Sequence, residues 1–243
     1  MQRIIDERRQ VHHRGATEAW HSRGGAYLGD IIFGANDGIV TTFALVAGVE
    51  GAALSSHAIL VVGLAKLLAD AVSMGLGNYL AIRSQVDFYN SELAREWWEV
   101  KHLADVERQE IRDIYAEKGF EGEDLERAVQ IITSDEERWV DVMMKEELGL
   151  IEEGSGSPSK SGFLTGMAFI LIGALPLLPY MLGMAGSSAL WFSAALTLAC
   201  LFAVGASRAI VTARIWIWSG LEMLGIGSAA ALVAYLVGSL IGG

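Results

Sequence analysis

Cysteine is almost absent from this chain. Cys200 is the single cysteine among 243 residues, and it lies in an apolar stretch. One thiol can form neither a disulfide framework nor a metal site built from several thiolates. A metal-binding function would therefore have to use other side chains.

Two common sequence signals are also missing. The chain contains no Gly-x-x-x-x-Gly-Lys motif, so ATP is not expected to drive its activity directly. Residues 1–25 carry five arginines but no apolar core, which is unlike a cleaved signal peptide. We interpret residues 1–26 as a polar cytoplasmic leader.

The acidic residues are concentrated in the middle of the chain. The sequence is 52% apolar yet has a net charge of −11. So high an apolar content together with so large a net charge is unusual for one globular domain. Residues 86–153 hold 21 of the 29 acidic residues, and apolar runs flank them on both sides. This pattern predicts an all-α membrane protein with an acidic helical insert. Such an insert repels nucleic acid and anionic lipid, so cations are the expected partners.

Five apolar stretches are long enough to cross a bilayer, which takes about 20 residues. They cover residues 28–49, 57–82, 163–182, 188–207 and 215–240, with kinks expected at Pro176 and Pro179. We expect the second stretch to continue as helix into the insert. The predicted domains are the leader, the first two spans at 27–83, the acidic domain at 84–153, a Gly/Ser linker at 154–161, and three spans at 162–243.

The basic residues predict the orientation in the membrane. Seventeen of the 18 Lys and Arg residues fall in the leader, in the insert with its edges, or between the fourth and fifth spans. Those segments are therefore expected in the cytoplasm and the C-terminus on the opposite side. Lys66, inside the second span, is the exception.

Acidic residues inside the first span need an explanation. A charge near the bilayer centre costs about 2.5–3.5 kcal/mol even on a lenient scale. Asp37 lies near the middle of the span, between Asn36 and Gly38. It is either a neutral or hydrogen-bonded carboxyl, or a cation ligand that exchanges metal for protons. Asp30 lies nearer the cytoplasmic end, where an interfacial role is the simpler interpretation.

The second span carries Lys66, Asp70 and Met74 at intervals of four residues, which places them on one stripe of a helix. Lys66 and Asp70 are most simply a structural ion pair. Met74 is either apolar filling or a metal ligand on the face of Asp70. Glu222, near the cytoplasmic start of the last span, is expected to be an interface or packing residue.

The insert contains two glutamate pairs in phase. Glu96 and Glu99 are three residues apart, as are Glu107 and Glu110, and the pairs are offset by eleven residues. In one unbroken helix all four would share a face. If the helix breaks at 102–105, two antiparallel helices could direct the pairs toward each other. The alternative is an ordinary solvated helix face.

Methionines accompany these glutamates in the segment 139–147. Met143 and Glu147 are one helical turn apart, and Met144 is adjacent. Carboxylates combined with thioethers suit a divalent transition metal better than Ca²⁺ or Mg²⁺, which take oxygen ligands. Packing in a small helical bundle is the alternative role for the two methionines.

Three segments resemble the vacuolar iron transporter family: Gly34–Gly48, Ala71–Ala81 and Trp139–Gly149. The resemblance covers nearly the whole chain from Gly29. It implies a five-span homodimeric carrier, without a prosthetic group, that exports Fe²⁺ from the cytosol in exchange for protons. A cytoplasmic helical metal-binding domain would lie between spans two and three.

The resemblance also implies roles for individual residues. The domain ligands would be Glu96, Glu99, Glu107, Glu110, Met143, Met144 and Glu147, and the membrane pathway would include Asp37 and Met74. Lys66 departs from the pattern, because better-known members carry a pathway glutamate there, and Asp70 replaces a small residue. A fixed positive charge would oppose a dication unless Asp70 neutralises it or Lys66 loses its proton in the apolar site. Iron over Mn²⁺, Zn²⁺ or Co²⁺ is thus an expectation taken from the family.

Two other classes of protein remain alternatives. A membrane-anchored di-iron carboxylate enzyme would use paired Glu-x-x-His motifs on bundle helices. Glu99 and His102 form one such motif, and the insert lacks a second. A membrane-tethered metal buffer or sensor would use the insert but would have no need of Asp37. The membrane would be the cell membrane in a bacterium and an organelle membrane in a eukaryote.

Overall fold

The computed structural model describes residues 27–151, 157–207, 209 and 215–242. Within these ranges the chain is helical and has no β-strand, which confirms the all-α prediction. The predicted leader, residues 1–26, and residues 154–156 of the predicted linker lie outside the described residues.

Nine α-helices follow one another along the described chain. They are α1 (Leu28–Gly51), α2 (Ser56–His102), α3 (Ala104–Glu117), α4 (Gly122–Thr133), α5 (Glu136–Val142), α6 (Pro158–Gly173), α7 (Leu178–Met181), α8 (Gly186–Ser207) and α9 (Trp216–Gly242). A π-helical turn, Met143–Glu147, extends α5, and a 3₁₀ turn, Leu175–Leu177, joins α6 to α7.

Five of these segments are long and apolar enough to cross a membrane, which confirms the predicted number of spans. They are α1, α2, the segment Pro158–Met181, α8 and α9. The apolar part of α2 ends near Ile82, and the helix continues to His102. The expected continuation of the second span into the insert is therefore present.

The chain divides into two compact units. The membrane unit comprises the described residues up to Gly77 and from Ser159 onward, and the acidic module comprises Asn78–Pro158. The predicted acidic domain, residues 84–153, falls within the second unit.

Helices of the membrane unit approach one another closely at glycines. A Cβ atom at Gly38 of α1 would lie 2.5 Å from the Phe169 carbonyl oxygen of α6. A Cβ atom at Gly238 of α9 would lie 2.0 Å from the Gly48 carbonyl oxygen of α1. Small residues permit such contact where lipid provides little hydrophobic drive for association. These contacts bring α1 against both α6 and α9.

The third span bends at its prolines, as expected. Helix α6 ends at Gly173, the 3₁₀ turn holds Pro176, and Pro179 lies in the first turn of α7. Proline has no N–H to donate and clashes with the preceding turn, so it interrupts a helix. The Ser193 hydroxyl of α8 donates a hydrogen bond to the Pro176 carbonyl at 2.7 Å, which satisfies an oxygen exposed by the bend.

The acidic module has its own apolar core despite its charge. Helix α4 contributes Leu125, Val129 and Ile132, which lie on one face because of their helical spacing. They pack with buried residues of the neighbouring helices: Val100, Ile111, Trp139, Val140, Met143 and Met144. The module is therefore a small helical bundle.

Polar contacts complete the module. Arg112 of α3 donates to both carboxylate oxygens of Glu126 of α4, each at 2.9 Å. Asp135 caps α5 by accepting a hydrogen bond from the Arg138 backbone N–H at 2.8 Å.

The glutamate pairs lie on two helices. Helix α2 ends at His102 and α3 begins at Ala104, with Leu103 between them at φ −124° and ψ 30°. Of the two arrangements that the spacing allowed, the broken helix is the one observed. Glu96 and Glu99 are on α2, and Glu107 and Glu110 are on α3.

Candidate metal centre

Two glutamates of the acidic module are buried. Glu96 near the end of α2 is 1% exposed, and Glu107 in the first turn of α3 is 3% exposed. One oxygen of each carboxylate, Oε2, has no hydrogen-bond partner among the described residues. Buried polar atoms without a partner are uncommon and carry a desolvation penalty. Glu96 and Glu107 are therefore candidates for a ligand-binding role.

The buried glutamates hold protons more strongly than usual. Burial, followed by the charges of Glu147 and Glu99, raises the pKa of Glu96 to about 7. Burial, followed by the charges of Glu110 and Glu96, raises the pKa of Glu107 to about 7. Because the carboxylates act on one another, their protons leave as a coupled set near neutral pH.

Glu147 interacts with the same group of carboxylates although its side chain is exposed. Partial desolvation, followed by Glu110 and Glu99, raises its pKa. Five predicted ligands thus lie close enough together for their charges to interact: Glu96, Glu99, Glu107, Glu110 and Glu147. We call these five residues the acidic cluster.

The remaining two predicted ligands, Met143 and Met144, are buried in the module core. They open the π-helical turn, in which the Leu148 N–H donates to the Met143 carbonyl at 3.2 Å, one residue further back than in an α-helix. The sequence led us to expect a regular helical turn here, and no residue pattern marks the wider one. Such π turns are rare and occur frequently at functional sites.

The carboxylates are neighbours but do not converge on one point. Within residues 27–151, 157–207, 209 and 215–242, no three His, Cys, Asp or Glu side chains are arranged closely enough to hold one ion. Charges influence a pKa over a longer distance than the roughly 2.0–2.2 Å of a metal–carboxylate bond. Binding of an ion at this cluster would require the glutamate side chains to rotate toward one another.

A second group of predicted residues lies in the membrane unit. Lys66 and Asp70 of α2 form the expected ion pair, and both are half-buried. The charges of both act on the half-buried Asp37 of α1. The carboxamide oxygen of the adjacent Asn36 is buried and accepts no hydrogen bond from the described part of the chain. Met74, the fourth predicted residue, packs against the buried core that includes Phe169.

Three features were not anticipated from the sequence. The Tyr180 hydroxyl of α7 donates a hydrogen bond at 3.0 Å to Glu50 at the end of α1. The buried hydroxyls of Thr42 and Thr197 have no hydrogen-bond partner among the described residues. Arg95 of α2 forms ion pairs with Glu92 and Glu99 beside the acidic cluster. Only the last had a sequence signal, the helical spacing of the three residues.

Comparison with known proteins decides the family. A model of the VIT family matches residues 28–239. The chain belongs to the VIT family. This confirms the family resemblance carried by the three segments of the sequence.

Several curated relatives align with this VIT family chain over most of its length. It is 37% identical over 215 residues to the vacuolar iron transporter of Centaurea cyanus, with 88% of each chain covered. It is 35% identical over 221 residues to vacuolar iron transporter 1 of Arabidopsis thaliana, covering 91% of this chain and 88% of the relative. It is 38% identical over 224 residues to the vacuolar iron transporter of Toxoplasma gondii, covering 88% and 74%. These relatives are named as transporters, and the chain is not an enzyme.

Proposed function

We propose that this VIT family member exports Fe²⁺ from the cytosol across its membrane in exchange for protons. The acidic module collects the ion, and Asp37 and Met74 take part in its passage through the membrane unit. The relatives named above are vacuolar iron transporters. The observation that carries the proposal is the pair of buried carboxylates, Glu96 and Glu107, each of which has one oxygen, Oε2, without a hydrogen-bond partner among the described residues.

The chemistry of the module favours a transition metal. Five carboxylates supply negative charge, and Met143 and Met144, buried in the module core in the segment that also carries Glu147, are the proposed thioether ligands. Thioether is a soft ligand that Ca²⁺ and Mg²⁺ do not use. Zn²⁺ and Co²⁺ share enough of this preference to be secondary cargo, and Mn²⁺ can bind through the carboxylates. Alkaline-earth ions gain nothing from thioether sulfur and are discriminated against.

Protons compete with the ion at both places. Glu96 and Glu107 have pKa values of about 7, so a metal that binds there displaces protons near cytosolic pH. In the membrane unit, a proton that reaches Asp37 from the far side would release the ion. The Lys66–Asp70 ion pair keeps that neighbourhood from carrying an excess charge when Asp37 is protonated.

The orientation and assembly belong to the same proposal. The leader and the acidic module face the cytoplasm and the C-terminus lies on the opposite side, as the distribution of basic residues predicts. Two copies form the working carrier.

A metal buffer would need only the module, whereas a transporter also needs the polar groups of the membrane unit. Asp37, Lys66 and Asp70 act on one another within helices that are long and apolar enough to span a bilayer. His102, which a di-iron site would use, is exposed, and its Nδ1 lies 2.8 Å from the Trp98 carbonyl oxygen. Both observations favour transport over the alternatives.

Metal flux into proteoliposomes under a pH gradient tests the proposal. Asp37→Ala should abolish Fe²⁺ flux, because it removes the carboxylate that binds the ion and the proton. Glu222→Gln is the matched control, since it neutralises another acid of a spanning helix, one that is exposed and outside the proposed pathway. Its flux should equal that of the unaltered chain. Unchanged flux in Asp37→Ala would end the proposal.

A further inference from the structure

Arg95 contacts two carboxylates on opposite sides of its own position along α2. Its Nη2 lies 2.6 Å from Glu92 Oε2, and its Nε lies 3.8 Å from Glu99 Oε2. Residues three before and four after Arg95 share its helix face, so both contacts form without distorting the helix. One guanidinium is thus shared unequally between two glutamates.

The two glutamates differ in their relation to the acidic cluster. Glu99 acts on Glu96, Glu107 and Glu147, whereas Glu92 is not among the principal charges acting on them. Arg95 itself lowers the pKa of Glu96 and of Glu147, so its positive charge reaches the cluster. Arg95 therefore stands between a cluster member and a carboxylate outside the cluster.

A divalent cation bound by Glu99 would repel this guanidinium. Glu92 already holds the shorter contact, and its side chain is 16% exposed compared with 52% for Arg95. The guanidinium has five N–H donors in a fixed planar arrangement, so it can bind Glu92 with two of them after it leaves Glu99. Its displacement needs only a change in side-chain torsions.

We propose that Glu92 and Arg95 form a charge switch beside the acidic cluster. Arg95 shares its charge between Glu92 and Glu99, and it moves wholly to Glu92 when a divalent cation binds at Glu99. Glu92 is then a positioning residue that removes a competing cation from the cluster and does not touch the metal. This inference rests on the proposed function, in which the cluster binds a transition metal.

Mn²⁺ binding to the purified full-length chain tests the switch, with free Mn²⁺ followed by its electron paramagnetic resonance signal. Arg95→Gln should tighten binding by about fivefold, because the competing cation is gone. Glu92→Gln should weaken binding by about fivefold, because Arg95 is then left to Glu99. The double variant should bind like Arg95→Gln alone, and Arg95→Lys should restore the affinity of the unaltered chain.

Arg83→Gln is the matched control for charge. Arg83 lies on the same helix and pairs with Asp87 at 3.1 Å, and both side chains are more than half exposed. Its removal changes the net charge equally, so Mn²⁺ affinity should stay within about twofold of the unaltered value. Equal tightening by Arg83→Gln and Arg95→Gln would mean a general charge effect and would overturn the switch.

The remaining outcomes separate the switch from the proposed function. If Glu92→Gln weakens binding equally with and without Arg95, Glu92 is itself a ligand and the switch is wrong. If the unaltered chain binds Mn²⁺ but the two single variants do not change its affinity in opposite directions, the switch alone fails. If the unaltered chain binds no Mn²⁺, the metal-collecting role of the module fails together with the switch.

Discussion

The two units of this chain bury different polar groups. Among the described residues of the membrane unit, the polar residues that are buried as a whole carry hydroxyls: Thr42, Ser161, Thr165, Ser193, Thr197 and Ser219. In the acidic module they are the carboxylates of Glu96 and Glu107. Removing a hydroxyl from water costs far less than removing a carboxylate. The acidic module therefore carries the costlier burial, which is the reason for the metal-binding role proposed for it.

The units also balance their charges differently. Within the membrane unit Asp70 forms an ion pair with Lys66, and the charges of both residues act on Asp37. In the module, five mutually acting glutamates are opposed chiefly by Arg95. Lys66 thus balances part of the negative charge in the membrane unit, whereas the module keeps a larger negative charge that bound dications would reduce.

The largest effect on metal affinity is expected from replacing the two buried carboxylates that distinguish the module. The double variant Glu96→Gln with Glu107→Gln should weaken Mn²⁺ or Fe²⁺ binding by about 100-fold or more, since both proposed ligands become neutral amides. Calorimetry on the full-length chain measures this change. The thermal midpoint should stay the same or rise, because a buried amide is less costly than a buried carboxylate. A double variant that kept normal affinity would show that the two groups have no part in metal binding.

The next effect concerns the close helix packing of the membrane unit. Gly38→Ala places a Cβ atom where the Phe169 carbonyl oxygen would lie 2.5 Å away, which forces α1 and α6 apart. We expect destabilisation by about 1–3 kcal/mol, measured as a lower thermal midpoint of the purified protein. Gly77→Ala is the control, because nothing lies within 4 Å of the added methyl group. If both variants melt at the same temperature, the close contact at Gly38 is not needed.

A smaller effect tests the charge balance in the membrane unit. Lys66→Gln leaves Asp70 without its partner, and Asp70→Asn leaves Lys66 without its partner. Each should lower Fe²⁺ flux by about tenfold, since an unpaired charge remains in an apolar span. The double variant keeps the region neutral and should recover flux above either single variant. Additive losses would show that the two residues act separately.

The smallest effect is the pH dependence of stability. The pKa values of Glu96 and Glu107 are about 7 in the folded chain, against an ordinary value of 4.5. Between these values the folded chain holds more protons than the unfolded chain, so the free energy of unfolding falls as pH rises from 5 toward 8. Metal affinity should rise over the same interval. Thermal midpoints of the unaltered chain without added metal should fall by a few degrees.

Glu96→Gln provides the comparison for that pH series. It removes one of the two pKa values that are raised to about 7, so its midpoint should vary less with pH than that of the unaltered chain. An equal slope in both proteins would mean that Glu96 does not titrate in this range.

Long apolar runs made the membrane spans predictable from the sequence. The fourth span was expected at 188–207, and α8 covers Gly186–Ser207. The bend at Pro176 and Pro179 was predictable as well, since proline interrupts a helix whatever surrounds it. These features depend on local chemistry, which a sequence displays directly.

Features that depend on contacts between side chains were harder to predict from the sequence. Spacing allowed either one helix or two for the glutamate pairs, because no proline or glycine marks the break at Leu103. The hydrogen bond between Tyr180 and Glu50 joins residues 130 positions apart, and no pattern connects them. The unequal sharing of Arg95 between Glu92 and Glu99 is a matter of side-chain torsions, which helical periodicity does not determine.

The π-helical turn at Met143–Glu147 makes the length of this segment matter as much as its composition. A π turn accommodates one more residue than the α-helical path it replaces. Deleting Lys145 would let the backbone return to the narrower path and would change which side chains after Met144 face the bundle. Conservative substitutions of single side chains leave the number of residues in the turn unchanged. Replacement of Lys145, which is not a proposed ligand, should therefore be tolerated, whereas loss or gain of one position in this stretch should not.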